Sequence, residues 1–104
     1  MSQTMTFVRI YISESDPGRK GSLMENILEI LHDRHQVRGV TVFRGIAGFG
    51  STGVVHAGDL LRLSPHLPEV IEFFDEPDAV AAAIESLGDL IPPKHLISWN
   101  VECR

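Results

Sequence analysis

Cysteine is almost missing from this chain. Cys103 is the only one, which excludes an internal disulfide and fits a reducing compartment, the cytoplasm. Basic residues are also few: nine Lys and Arg stand against 14 Asp and Glu, for a formal charge of −5. The nine are scattered along the chain, whereas phosphate backbones need clustered cations, so nucleic acid is excluded as a general partner. No apolar run reaches the roughly 20 residues of a membrane span. The opening MSQTMTF has neither the basic start nor the apolar stretch of a signal peptide. We therefore expect no direct membrane insertion. Linkers, repeats and low-complexity segments are absent too, so residues 1–104 read as a single domain.

A catalytic set is the next thing missing. Ser51 and Thr52 sit in a glycine loop without the strand-to-helix elbow that would expose a nucleophile. Glu69 and Glu72 lie three apart on an expected strand, so they point to opposite faces and cannot form a carboxylate pair. Cys103 has no histidine near it in sequence, and the histidines lack the spacing of a metal site. His32 and His35 share one side of an expected helix, while His56, His66 and His95 are dispersed. The expectation is a binding protein and not an enzyme. A small phosphatase-like enzyme is the reading this disfavours.

What is present is a regular alternation of elements. Thr6 to Ser13 alternates with a period of two, placing Val8, Ile10 and Ile12 on one face and Phe7, Arg9 and Tyr11 on the other. Asp16-Pro17-Gly18 signals a turn, and from Ser22 to His35 the residues Leu23, Ile27, Leu28, Ile30 and Leu31 form a helical stripe. Val37 to Ile46 reads as a second strand with Val40, Val42 and Ile46 on one face. A glycine-rich loop runs from Ala47 to Gly58. Leu67 to Phe74 is a third strand, and Asp75-Glu76-Pro77 opens a helix carrying Val80, Ala83, Ile84 and Leu87 that stops at Gly88. Leu96 to Cys103 is the last strand, with Ile97, Trp99, Val101 and Cys103 on one face.

The order βαββαβ predicts an α+β, ferredoxin-like domain: a four-stranded antiparallel sheet with two helices on one face. The other face would carry Phe7, Tyr11, Phe43 and Phe74 with Arg9 and Glu72. That surface is too apolar to stay wet, and further copies of the chain are its natural cover.

This topology brings the start of the first helix, the loop after the second strand and the start of the fourth strand to one end of the sheet. Arg19, Lys20, Arg44, Gly45, Gly48, Gly50, Gly53 and Lys94 are therefore expected there. Glycines let backbone N–H groups approach a ligand, so an anion such as a nucleotide phosphate could be held. A solvated loop with basic neighbours is the alternative. Gly48-Phe-Gly-Ser-Thr-Gly53 also matches the G-x-G-x-x-G dinucleotide pattern, but no full helix can begin there because Ser64-Pro65 stops the candidate Asp59 to Leu63. That reading is rejected.

The run Thr41-Val-Phe-Arg-Gly-Ile-Ala-Gly-Phe-Gly50 resembles the domain of unknown function 190 family. The likeness includes Val8-Arg-Ile-Tyr-Ile12, Val55-His56, Leu60-Leu-Arg-Leu-Ser64, Leu67-Pro68 and Val70-Ile-Glu72, in the expected order. That family is similar to the PII signal-transduction proteins. The resemblance implies a PII-like fold, a homotrimer, and a regulatory role with an adenine nucleotide as ligand in the clefts between subunits. It implies a T-loop based at Gly48 and Gly50, whose tip docks a target, with a membrane transport protein as the kind of target. The expected ligand-binding residues are Arg44, Gly45, Gly48, Phe49, Gly50 and Lys94. The expected partner-binding loop is Ser51, Thr52, Gly53, Val54, Val55 and His56. The loop before the last strand, Asp89 to Lys94, is shorter than its PII counterpart. The alternative is a trimer that binds a divalent metal or an anion, with His56 or His95 in contact, and no nucleotide.

Overall fold

A computed structural model describes residues 2–48 and 67–104. The strands are β1 (Gln3–Ser13), β2 (Val40–Arg44), β3 (Pro68–Asp75) and β4 (Leu96–Cys103); the helices are α1 (Leu23–Glu29) and α2 (Pro77–Leu87). The sheet order is β2-β3-β1-β4, and every neighbouring pair is antiparallel. This is the ferredoxin-like arrangement that the element order implies.

Local chemistry sets each helix. Ser22 caps α1 by accepting from the Glu25 backbone N–H at 3.1 Å, while the Glu25 carboxylate accepts from the Ser22 N–H at 3.4 Å, a reciprocal capping box. The last five residues of this helical stretch, Ile30–Arg34, wind as a π-helical turn, a rare geometry. Pro77 opens α2, where its missing N–H costs nothing, and Gly88 closes it at φ 47°. A 3₁₀ turn, Gly88–Leu90, follows.

One layer of core lies between the sheet and both helices. Val8, Ile10 and Ile12 of β1 and Ile71 and Phe73 of β3 meet Leu23, Ile27 and Leu31 on one helix and Val80, Ala83 and Leu87 on the other. Each of these side chains except Ala83 stabilises the fold by about 1.5–3 kcal/mol. The period-two and period-3.6 stripes of the sequence therefore face one another.

The second strand departs from expectation. It spans five residues instead of the expected Val37 to Ile46, because the Val37 N–H still bonds to Leu31 O at 3.2 Å and so completes the helix. At the other end, Gly45 N–H makes a last cross-strand bond to Pro68 O at 2.7 Å, and Pro68, which has no N–H, cannot return it. Ile46, expected beside Val40 and Val42, is 76% exposed.

Candidate functional site at the loop end of the sheet

The strand register brings the end of β1, the end of β2 and the starts of β3 and β4 together. Arg44 lies opposite Glu69, Glu69 opposite Ile12, and Ile10 opposite Leu96. Of the residues expected at one end of the sheet, Arg44, Gly45, Gly48 and Lys94 lie there, but the two cations are divided.

Arg44 points to the helix side, where the Glu14 carboxylate takes both Nε and Nη2 of its guanidinium, the latter at 3.1 Å. Glu69 is buried in the same cluster. Burial pushes its carboxyl above the ordinary carboxylate range; Glu14 adds to this, Arg44 opposes it, and Asp16 adds again. Asp16 itself accepts from the Ser13 N–H at 2.9 Å. A guanidinium gripped in this way organises the loop base first, and any anion must compete with Glu14 for it.

Gly45 and Gly48 both lie against Pro68. A Cβ on Gly45 would fall 2.5 Å from Pro68 Cγ, and one on Gly48 would fall 3.2 Å from it. This close packing requires the absence of a side chain at Gly45. Phe49, Gly50, Ser51, Thr52, Gly53, Val54, Val55 and His56 lie outside the described residues.

Lys94 is on the opposite edge of the sheet. Its backbone sits at φ 67°, the left-handed region that favours glycine, and its side chain is exposed. The adjacent His95 is pinned to β1: Tyr11 N–H donates to His95 O at 2.8 Å, and His95 Nδ1 donates to Tyr11 O at 2.9 Å. Arg44 and Lys94 are separated by three strand spacings, about 14 Å. One protomer does not bring them together.

The open face of the sheet matches the sequence pattern closely. Tyr11, Phe43, Ile97 and Trp99 stand on it at 42, 51, 45 and 41% exposure. Phe7 stacks parallel to Phe74 with ring centroids 6.3 Å apart and lies 4.8 Å from the Trp99 ring. Among these rings Arg9 pairs with Glu72, at 2.7 Å from Nε and 2.5 Å from Nη2, and its guanidinium lies 5.6 Å from the Trp99 ring. Tyr11 and then Glu72 hold the Arg9 guanidinium above its ordinary pKa. Cation–π contact and ion pairing fix this charge within an apolar surface.

The remaining cations and histidines are placed elsewhere. Arg19 and Lys20 ride on a turn beside α1, where Asn26 holds the backbone; sequence reasoning missed Asn26, although a side-chain amide just inside the helix is a common clamp for a preceding turn. His32 bonds to Asp33 at 2.7 Å, and His35 shares a 2.7 Å hydrogen bond with Ser86 on α2, so these two do not act as a pair. Among the described residues no three His, Cys, Asp or Glu side chains gather as a metal site, and no helix is long and apolar enough to cross a membrane.

A two-layer βαββαβ domain with an uncovered apolar sheet face and a glycine loop base defines the PII-like fold class, and known proteins agree. The chain belongs to the DUF190 family, described as an uncharacterized ACR, whose profile matches residues 5–103. A UPF0166 protein of Methanocaldococcus jannaschii is 33% identical over 90 residues, 86% of this chain and 82% of that relative. Among solved structures, CPII from Thiomonas intermedia K12, bound to ADP and bicarbonate, superimposes with a TM-score of 0.69 at 16% identity, covering 98% of this chain and 90% of CPII. The divalent ion tolerance protein CutA1 from Ehrlichia chaffeensis gives a TM-score of 0.56 at 12% identity, over 94% of this chain and 79% of CutA1. At these identities the structural likeness shows the fold.

Proposed function

We propose that this protein is a PII-like regulatory module that assembles as a homotrimer through its open sheet face and binds an adenine nucleotide in the clefts between protomers. The observation that carries this reading is the apolar face itself. Four large side chains, 41–51% exposed, spread across three of the four strands on the side away from the helices. Monomeric proteins seldom leave such a surface open, and a symmetric set of copies covers it without any further segment.

Assembly supplies what one protomer lacks. Lys94 on one edge and the Arg44–Gly45–Gly48 loop base on the other are about 14 Å apart within a chain, but edges of adjacent copies can meet. In that cleft Lys94 serves as the free phosphate contact, and the glycines offer backbone N–H groups from the loop base. CPII, whose fold this chain shares, was solved with ADP and bicarbonate bound, which makes ADP the first nucleotide to test. The loop after Gly48, including Ser51 to His56, is the proposed target-docking segment, and its target is a second protein, with a membrane transport protein as the candidate. Ligand control of docking requires unequal affinity for two loop states. The role is binding and signalling in the cytoplasm, without turnover.

Isothermal titration of the full-length chain with ADP, AMP and ATP tests the reading. Saturable heat with one nucleotide per chain, weakened by Lys94→Gln, is the expected result. Flat traces for all three nucleotides would remove the nucleotide from the account.

A further inference from the structure

The described basic residues of this acidic chain fall into two groups, paired and unpaired. Arg9, Arg38, Arg44 and Arg104 each face a carboxylate within 4.0 Å. Arg19, Lys20, Arg34 and Lys94 have no carboxylate partner among the described residues. Three of these four line a single surface pocket of about 240 Å³, together with Asn26, Glu29, Ile30, Asp33 and Leu90. The pocket lies along the outer side of the α1 stretch, against the 3₁₀ turn after α2. It is on the opposite side of the sheet from the open apolar face, so copies assembled over that face leave it in contact with solvent.

The two cations at its upper edge are held in place by the backbone. Pro17 and Ser22 form an antiparallel bridge, and Gly18 N–H donates to Gly21 O at 2.9 Å. Asn26 Oδ1 accepts from the Arg19 and Lys20 N–H groups at 2.7 and 3.3 Å, while its Nδ2 donates to Lys20 O at 2.5 Å. Gly18 is required by this arrangement, because a Cβ there would fall 2.4 Å from Asn26 Oδ1. One half-buried amide thus fixes the two residues that present the cations. Arg34 comes from the π-helical turn at the other end of the pocket. Of the two carboxylates in the lining, Asp33 is already engaged by the His32 Nδ1–H at 2.7 Å. Three cations then face two carboxylates, Glu29 and Asp33, leaving a net positive lining, and Ile30 and Leu90 give the pocket an apolar wall.

We propose that this pocket is an anion site for a small phosphate monoester, with Arg19, Lys20 and Arg34 on the phosphate and Ile30 and Leu90 against its organic part. It is separate from the nucleotide cleft proposed above and does not depend on it. The pocket is open to solvent, so the site favours modest affinity and fast exchange, suited to sensing an abundant metabolite.

The test is a ¹⁵N-resolved NMR titration of the full-length protein at fixed ionic strength. Its arms are inorganic phosphate, glycerol phosphate, and chloride. The expected result is saturable shifts confined to the amides of Gly18–Ser22 and Ile30–Arg34, with glycerol phosphate binding more tightly than inorganic phosphate. Tighter binding of inorganic phosphate would identify the free ion as the ligand and overturn the role of the apolar wall. Arg34→Gln should weaken the interaction about tenfold, the loss of one charge-assisted contact. Asn26→Ala should weaken it with every charge retained, and Arg104→Gln should leave it unchanged. Shifts that rise linearly without saturation, that chloride reproduces, or that persist in Arg19→Gln/Lys20→Gln/Arg34→Gln would overturn the proposal.

Discussion

Trp99 is the chain's only tryptophan, and it stands on the edge strand β4, on the open sheet face through which assembly is proposed. A buried aromatic side chain removes about 150–250 Å² from water, so the 41% of Trp99 still exposed corresponds to about 100 Å². At about 25 cal/mol per Å², covering it is worth about 2.5 kcal/mol per protomer. Trp99→Ser should therefore weaken each subunit contact by about seventyfold. Within the protomer the change also removes the contact with Phe7, worth about 0.5–1.5 kcal/mol, which lowers stability without abolishing folding. The two effects separate cleanly: circular dichroism reports the fold, and light scattering over a dilution series reports association. The wild type carries its own reporter, since tryptophan emission should move to longer wavelength as dilution uncovers Trp99. A wild-type emission spectrum independent of concentration, together with unchanged association of Trp99→Ser, would refute the reasoning.

Three further outcomes follow from the loop end. The Glu69 carboxyl titrates above its unfolded value of 4.5, so its contribution to stability is present at low pH and is lost as pH rises through the folded value. Urea denaturation should show the wild type gaining on Glu69→Gln as pH falls from 7 toward 5; a constant difference would contradict the burial argument. Gly45→Ala, whose Cβ would meet the Pro68 ring at 2.5 Å, should cost about 1–3 kcal/mol in the same measurement, and a neutral result would mean that the loop base yields freely. Lys94→Gly should raise stability by about 1 kcal/mol by relieving the left-handed backbone while weakening nucleotide binding in calorimetry; stability and affinity that fall together would show that the strain is not local.

Much of this architecture can be read from side-chain periodicity. The alternation of Val8, Ile10 and Ile12 against Phe7, Arg9 and Tyr11 assigns both faces of the central strand, and the same parity places Phe43, Phe74 and Glu72 on the open side. Where periodicity is short, it misleads. Ile46 continues the alternation of Val40 and Val42, yet the ladder ends at Gly45, because Pro68 opposite it has no N–H to return its hydrogen bond. The candidate site was legible as a location but not as a set of contacts. Glu14 and Arg44 are 30 positions apart, and nothing in either neighbourhood announces that they pair. Lys94 and Arg44 reach the same end of the sheet, but strand order places them on opposite edges, which only the pairing of β1 with both β3 and β4 reveals. Arg34 joins Arg19 and Lys20 through the winding of one helical stretch, a relation with no sequence motif.

Native mass spectrometry of the full-length chain with and without ADP bears most directly on the regulatory account. A species of three times the 11.5 kDa chain mass, carrying up to three ADP molecules, is the predicted result. A single chain that stays alone at micromolar concentration and takes up no ADP would contradict it.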